Sequence, residues 1–446
     1  AMEPLGSEET APRTAGLVSR AARLSTVPDR RAVVSAAESP RTVWAAPGEA
    51  TVVGSGAATT IRADGPDRFR DVRDAADELF AVGDVHAGAL AARPRLFGGF
   101  AFHDEHVGEG PWTGFPGAKF VLPRTQLTYV DDEAWVTVNG VSADAGAVEE
   151  RLERETERLE SLPDPDPLGA PPGIETRTRT TSEAEWRRSV VAATDRIAAG
   201  ELRKVVLAQA LRVELRDRLS IPETLSRLQR RYPDCYRFLF DPDDDDGGFF
   251  GATPERLVGR HGRTVETGAL AGTTGRGETP NEDEWLAEEL LADEKNVHEH
   301  ELVAGAVREQ LEPYAASIRA GERSIRRLAT VQHIETPITA ELAEDEHVLT
   351  LVEALHPTPA VGGLPPTEAL RTIRDTEPFE RGWYAAPVGW FDAAGYGSFA
   401  VALRSAVASG ETATLFAGVG IVEDSDPDRE WDEVQLKYRP ILDELE

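Results

Sequence analysis

The segment 161–173, Ser-Leu-Pro-Asp-Pro-Asp-Pro-Leu-Gly-Ala-Pro-Pro-Gly, restricts the fold more than any other part of this 446-residue chain. Proline fixes φ and lacks a backbone N–H, so a proline-rich polar run joins neither a helix interior nor a central strand. It reads as a linker and sets a division into 1–175 and 176–446. Before it, residues 13–160 alternate turn clusters with short β-like runs: Thr51-Val52-Val53, Lys119-Phe120-Val121-Leu122 and Ala134-Trp135-Val136-Thr137-Val138. A charged helix is expected over 144–160. After the linker, Ser182 and Glu185 have the spacing of a capping box. Trp186, Val190, Ala193 and Ile197 mark one apolar helix face, and Gly200 ends it. The length suits two or three average domains or one large α+β unit.

The helix leads into Lys204-Val205-Val206-Leu207-Ala208, a short apolar run that reads as a buried strand. The lysine in it is unusual for this chain. Only Lys119, Lys204, Lys295 and Lys437 are lysines, so 48 − 4 = 44 of the basic residues are arginine. Arginine stays protonated, whereas a buried lysine can lose its proton, so the retained lysines are suspects for work arginine cannot do. Against 48 basic residues stand 79 acidic ones, a net charge of −31. Acidic surface with little lysine is expected of a protein built for high salt, as in a halophile, because salt screens the mutual repulsion of carboxylates. The same charge argues against nucleic acid and anionic membrane as partners. One cysteine, Cys235, excludes a disulfide within the chain and a cysteine metal cluster. No apolar run reaches the length of a membrane span, and the polar stretch 1–12 lacks a signal-peptide core, so the expected location is cytoplasmic.

Further motifs carry chemistry. Glu255, in Ala252-Thr253-Pro254-Glu255, is a turn glutamate paired with Arg256 or, with raised pKa opposite a neutral lysine, half of an acid–base pair. Leu270-Ala271-Gly272-Thr273 is a plain glycine turn or a place for a ligand to approach backbone. In the helical pattern over 284–311, Glu299 shares a face with Lys295, Leu302 and Val303 and points inward, where a carboxylate needs a partner or a metal. His298 and His300 lie about 100° to either side of it, which argues against zinc. In a final helix from about Pro427, Glu430, Glu433 and Lys437 fall on one face. A surface Glu–Lys pair explains this spacing, but inward glutamates from two helices suit magnesium. Two apolar runs, 398–404 ending in Arg404 and 415–422 containing Gly418 and Gly420, read as a pair of strands, the glycines marking close approach. The acidic run 241–248 lacks EF-hand spacing and reads as a solvated hairpin tip.

In order, these motifs, with His356-Pro357-Thr358-Pro359-Ala360 and Arg381-Gly382-Trp383-Tyr384, resemble the chorismate-utilising enzymes, most closely the isochorismate synthases of menaquinone formation. The resemblance covers about 180–446, with residues 1–175 as the variable half. It implies two stacked antiparallel sheets with outer helices and a site between them. It implies a Mg2+-dependent isomerisation of chorismate, serving menaquinone or siderophore formation. Lys204 would be the base activating water toward ring C2, and Glu255 the acid protonating the C4 hydroxyl as it leaves. Glu299 and Glu433 would hold the metal, with Glu430 behind them. Arg404, Lys437 and the backbone at Gly418 would hold the substrate carboxylates. Gly272, Thr273, Ala360, Tyr384 and His333 would line the pocket. Salicylate synthases keep the same lysine and glutamate but eliminate pyruvate. The ammonia-using synthases generally lack the water-activating lysine, and some carry a nucleophilic one where this chain has Ala271, so no glutaminase partner is expected. Gln209 replaces a usual arginine and Asn296 a usual aspartate, which puts in doubt how Lys204 is oriented and how the metal's surroundings are built.

Overall fold

The computed structural model describes residues 16–243 and 247–446. The polar stretch 1–12 and the centre of the acidic tip, 244–246, lie outside them. On either side of that tip Tyr236–Phe240 and Gly247–Thr253 pair as an antiparallel hairpin.

The fold is α+β. Its strands form two arms that meet at one long strand, Ala118–Val130. The first arm runs from Ala118–Val130 through Thr51–Ala63, Thr42–Ala45, Tyr236–Phe240, Gly247–Thr253, Ser405–Ser409 and Thr412–Ile421 to Lys204–Leu215. The second leaves the start of the same strand through Leu96–Phe100, Pro387–Phe391, Gly397–Val401, Arg256–His261 and Thr264–Gly275 to Val331–Leu342. All these pairings are antiparallel; Leu17–Arg23 with Gly83–His86 is parallel. Aromatic rings fill the space between the arms. Trp112 stacks on Phe416 at 5.5 Å and meets Phe249 edge-on at 5.2 Å. Trp383 meets Phe115 edge-on at 5.3 Å.

Helices cover the outside. Ser182 and Glu185 form the expected capping box on Glu183–Ala198, which buries Trp186, Val190 and Ala193. Asp144 caps Ala145–Glu160, and Pro427 opens Pro427–Leu442. Residues 161–173 hold no helix or strand. No helix among the described residues is long and apolar enough to cross a membrane.

Two expectations need correction. The pattern over 284–311 is two helices, Pro280–Ala292 and Glu294–Leu311, because Asp293 turns extended (φ −75, ψ 111) and its carboxylate accepts from Asn296 N. The runs 398–404 and 415–422 are not neighbours. The first leaves strand structure after Val401, and Arg404 takes a left-handed φ of 48 as the chain crosses to the other arm.

Candidate active site

A narrow cavity opens between the ends of the two arms. A roomier groove by Leu17, Val85 and Leu90 has only Arg93 and Asp392 as ionisable lining, so the narrow cavity, with its converging charged groups, is the candidate. One arm contributes Val206, Gly418 and Gly420; the other contributes Gly272, Thr273 and His333; Glu299 and Lys437 enter from helices. Ala360, Tyr384, Glu255 and Arg404 complete the lining among the expected residues.

Lys204 opens the strand Lys204–Leu215, buried without interruption as far as Leu211. Its side chain is 0% exposed, and Nζ lies 3.1 Å from Glu299 Oε1. The two are in ionic contact without the alignment of a hydrogen bond. Glu299 lines the cavity and Lys204 stands behind it. Gly420 leaves the room for both: a Cβ there would lie 2.0 Å from Glu299 Oε1 and 2.8 Å from Lys204 Cε.

Each of the three helical carboxylates has its own ammonium group. Besides Glu299 with Lys204, Glu430 Oε1 meets Lys295 Nζ at 2.9 Å and Glu433 Oε1 meets Lys437 Nζ at 2.7 Å. Lys437 also donates to the Gly418 carbonyl at 3.0 Å, so that carbonyl faces a lysine and the glycine contributes space. Burial raises the Glu299 pKa, but the charges of Lys204, Lys295 and Lys437 outweigh it and hold the group below the ordinary value. Glu430 goes the other way: burial, with help from Glu433 and Glu299, pushes it up to about 7 despite Lys295. Among the described residues no three His, Cys, Asp or Glu surround one point as a ready metal cluster, and each of these carboxylates leans on a lysine. The donor set still fits a hard divalent cation. All donors are carboxylate oxygens, and Glu430 Oε2 is buried with no hydrogen-bond partner.

Glu255 sits where Gly247–Thr253 ends, its N–H accepted by Thr253 Oγ1 at 3.2 Å. Arg256 binds Tyr236 and Glu266 instead, so the simple turn pair does not form. Burial pushes the Glu255 carboxyl up to about 7 against the pull of Lys204, Arg404 and Lys437. Arg404 Nη2 donates to His333 Nε2 at 3.2 Å. Arginine cannot accept, so His333 carries its proton on Nδ1 and donates to Thr273 Oγ1 at 3.1 Å. Burial and the charge of Arg404 push His333 well below its ordinary pKa, which keeps it neutral. Burial pushes Tyr384 up to about 12, and its ring stacks on Phe416 at 5.1 Å.

The Gly272–Thr273 turn is held from behind. Gly272 needs its left-handed φ of 87. Asn296 Oδ1 accepts from Thr273 N at 3.3 Å, and His300 binds the Ala271 carbonyl at 3.1 Å and Thr336 Oγ1 at 2.7 Å. Both therefore serve the turn. Gln209 is buried, its Nε2 without a partner. Arg381 stands in a sequence motif without a role, and Glu377 is not signalled at all. Arg381, 0% exposed, binds Glu377 at 2.7 Å and the carbonyls of Val206 and Val361, while Glu377 accepts from Ala208 N. The pair satisfies backbone of the Lys204 strand where Gly363–Leu364 no longer runs beside it. No spacing could reveal this, since the partners are brought together only by the fold.

Residues 8–446 match the family described as chorismate binding enzyme. The chain is 33% identical to isochorismate synthase MenF of Bacillus subtilis over 416 residues, 91% of this chain and 88% of that protein. It is 35% identical to the salicylate biosynthesis isochorismate synthase of Pseudomonas aeruginosa over 412 residues, 92% and 85% of the two. Among solved structures it resembles MenF, the menaquinone-specific isochorismate synthase from Escherichia coli, with a TM-score of 0.81 at 27% identity, covering 98% and 97%. Anthranilate synthase component I from Streptococcus pneumoniae shares the fold, with a TM-score of 0.70 at 20% identity, covering 99% and 95%.

Proposed function

Because the chain belongs to the chorismate binding enzymes, we propose that it is an isochorismate synthase in which Lys204 and Glu255 move the protons. The observation that carries this reading is Glu255 in the cavity wall, 6% exposed and poised near neutrality, with Lys204, 0% exposed, directly behind Glu299 of the same wall. Lys204, an ammonium group in its resting pair with Glu299, must first release that proton; it then takes one from water as the oxygen bonds to ring C2. The ring double bonds shift, the C4–O bond breaks, and Glu255 gives its proton to the departing hydroxyl, which leaves as water. One water is consumed and one released, so the net change is an isomerisation. Glu299, Glu433 and, behind them, Glu430 would hold magnesium, which would supply Lewis acidity at this end of the cavity. Arg404 and Lys437 supply fixed positive charge for the substrate carboxylates, and the Thr273 hydroxyl, accepting from His333, has its proton free to donate.

Ala271, where some ammonia-using synthases carry a nucleophilic lysine, supports a water-using enzyme that needs no glutaminase partner. Purified protein given chorismate and magnesium in molar potassium chloride should yield isochorismate and no pyruvate, separated by chromatography. Salicylate with stoichiometric pyruvate would move it to the lyase branch. Turnover only with added ammonia would overturn the role of Lys204.

A further inference from the structure

Lys295 has no part in the proton transfers, yet it is one of only four lysines in the chain and sits amid the carboxylates. It lies one turn before Glu299 on Glu294–Leu311, and its Nζ reaches across to Glu430 at 2.9 Å on another helix. Its side chain is 19% exposed and that of Glu430 is 2%. Glu299, Glu430 and Glu433 raise its pKa against the effect of burial, so its charge is felt by all three. Three glutamates and three lysines therefore stand paired within one largely buried cluster. A divalent cation entering it meets glutamates that each already face a lysine.

We propose that Lys295 is a positioning residue that stands in for metal charge in the metal-free protein and competes with magnesium for the glutamate cluster. It keeps Glu430 from repelling Glu433 and Glu299 when no cation is bound, and it weakens magnesium binding in return. This inference rests on the magnesium reading above.

The test uses the full chain without substrate. Magnesium chloride is titrated calorimetrically, and thermal unfolding is followed in chelator and in saturating magnesium. Lys295→Met should lower the Tm in chelator, recover most of it with magnesium, and tighten the magnesium Kd on the order of tenfold. Lys295→Arg keeps the charge and should keep both wild-type values, which a role in packing alone would not produce. Adding Glu430→Gln to Lys295→Met should restore the metal-free Tm, and this double variant serves if the single one does not fold. A Kd in Lys295→Met that is unchanged or weaker overturns the inference while leaving the magnesium reading intact. Wild-type protein that binds no magnesium at millimolar concentration, with or without substrate, overturns both.

Discussion

At the scale of single residues, the pKa shifts make predictions with a definite sign. Glu255 and Glu430 are both pushed from 4.5 to about 7 by burial. Between those values the folded protein keeps protons that the unfolded chain has released. The stability these groups contribute is therefore full below about 4.5 and lost as the pH rises through 7. As the proposed acid, Glu255 must be protonated, so kcat/KM should fall as the pH rises past about 7, and a profile flat from 6 to 8 would remove it from that role. Glu255→Gln should abolish turnover, since an amide cannot give up the proton. Lys204→Ala should cost roughly 10²–10⁴-fold in kcat while chorismate still binds, read by fluorescence or calorimetry. Lysine depletion made this part of the site legible: of four lysines, three lie within the carboxylate cluster. The fourth, Lys119, is buried against Asp243 at 3.0 Å. The Glu377–Arg381 pair stayed hidden because its meaning lies in backbone groups distant in sequence.

At the scale of elements, local signals read well and pairings did not. The capping box, the buried strand and the proline start of the last helix each depend on a few adjacent residues, and each formed as expected. The break at Asp293 is a local cap that the apolar periodicity on either side masks, whereas the crossing at Arg404 depends on what the chain meets next. Gly420 was legible as a point of close approach, though not what approaches it. Gly420→Ala should place a methyl on Glu299 and Lys204, and displacement of that size costs about 10²-fold or more in kcat. Near-normal turnover by this variant would show that the contact yields. Ala385 lines the cavity with a left-handed φ of 60. Ala385→Gly should relieve backbone strain and raise stability by up to about 1 kcal/mol, measured by denaturant unfolding.

At the scale of the molecule, none of the four lysines is exposed, so the positive surface is almost wholly arginine beneath a net charge of −31. We propose high salt as the working condition. The Tm should rise by several degrees from dilute buffer to molar potassium chloride, and an unchanged Tm would sink the idea. Residues 161–173 hold no helix or strand, and the two halves they join share sheet pairings. Thr42–Ala45 and Leu96–Phe100 each pair with a strand from beyond the linker, one in each arm. Residues 176–446 made alone should therefore aggregate, with the Tyr236–Phe240 and Pro387–Phe391 edges bare. The strand Ala118–Val130, from which both arms grow, has a historical consequence as well. Such a half can drift in sequence one side chain at a time, but it cannot be exchanged as a cassette between proteins. Lineages carrying this architecture should inherit both halves together and diversify their chemistry at the cavity rather than by shuffling.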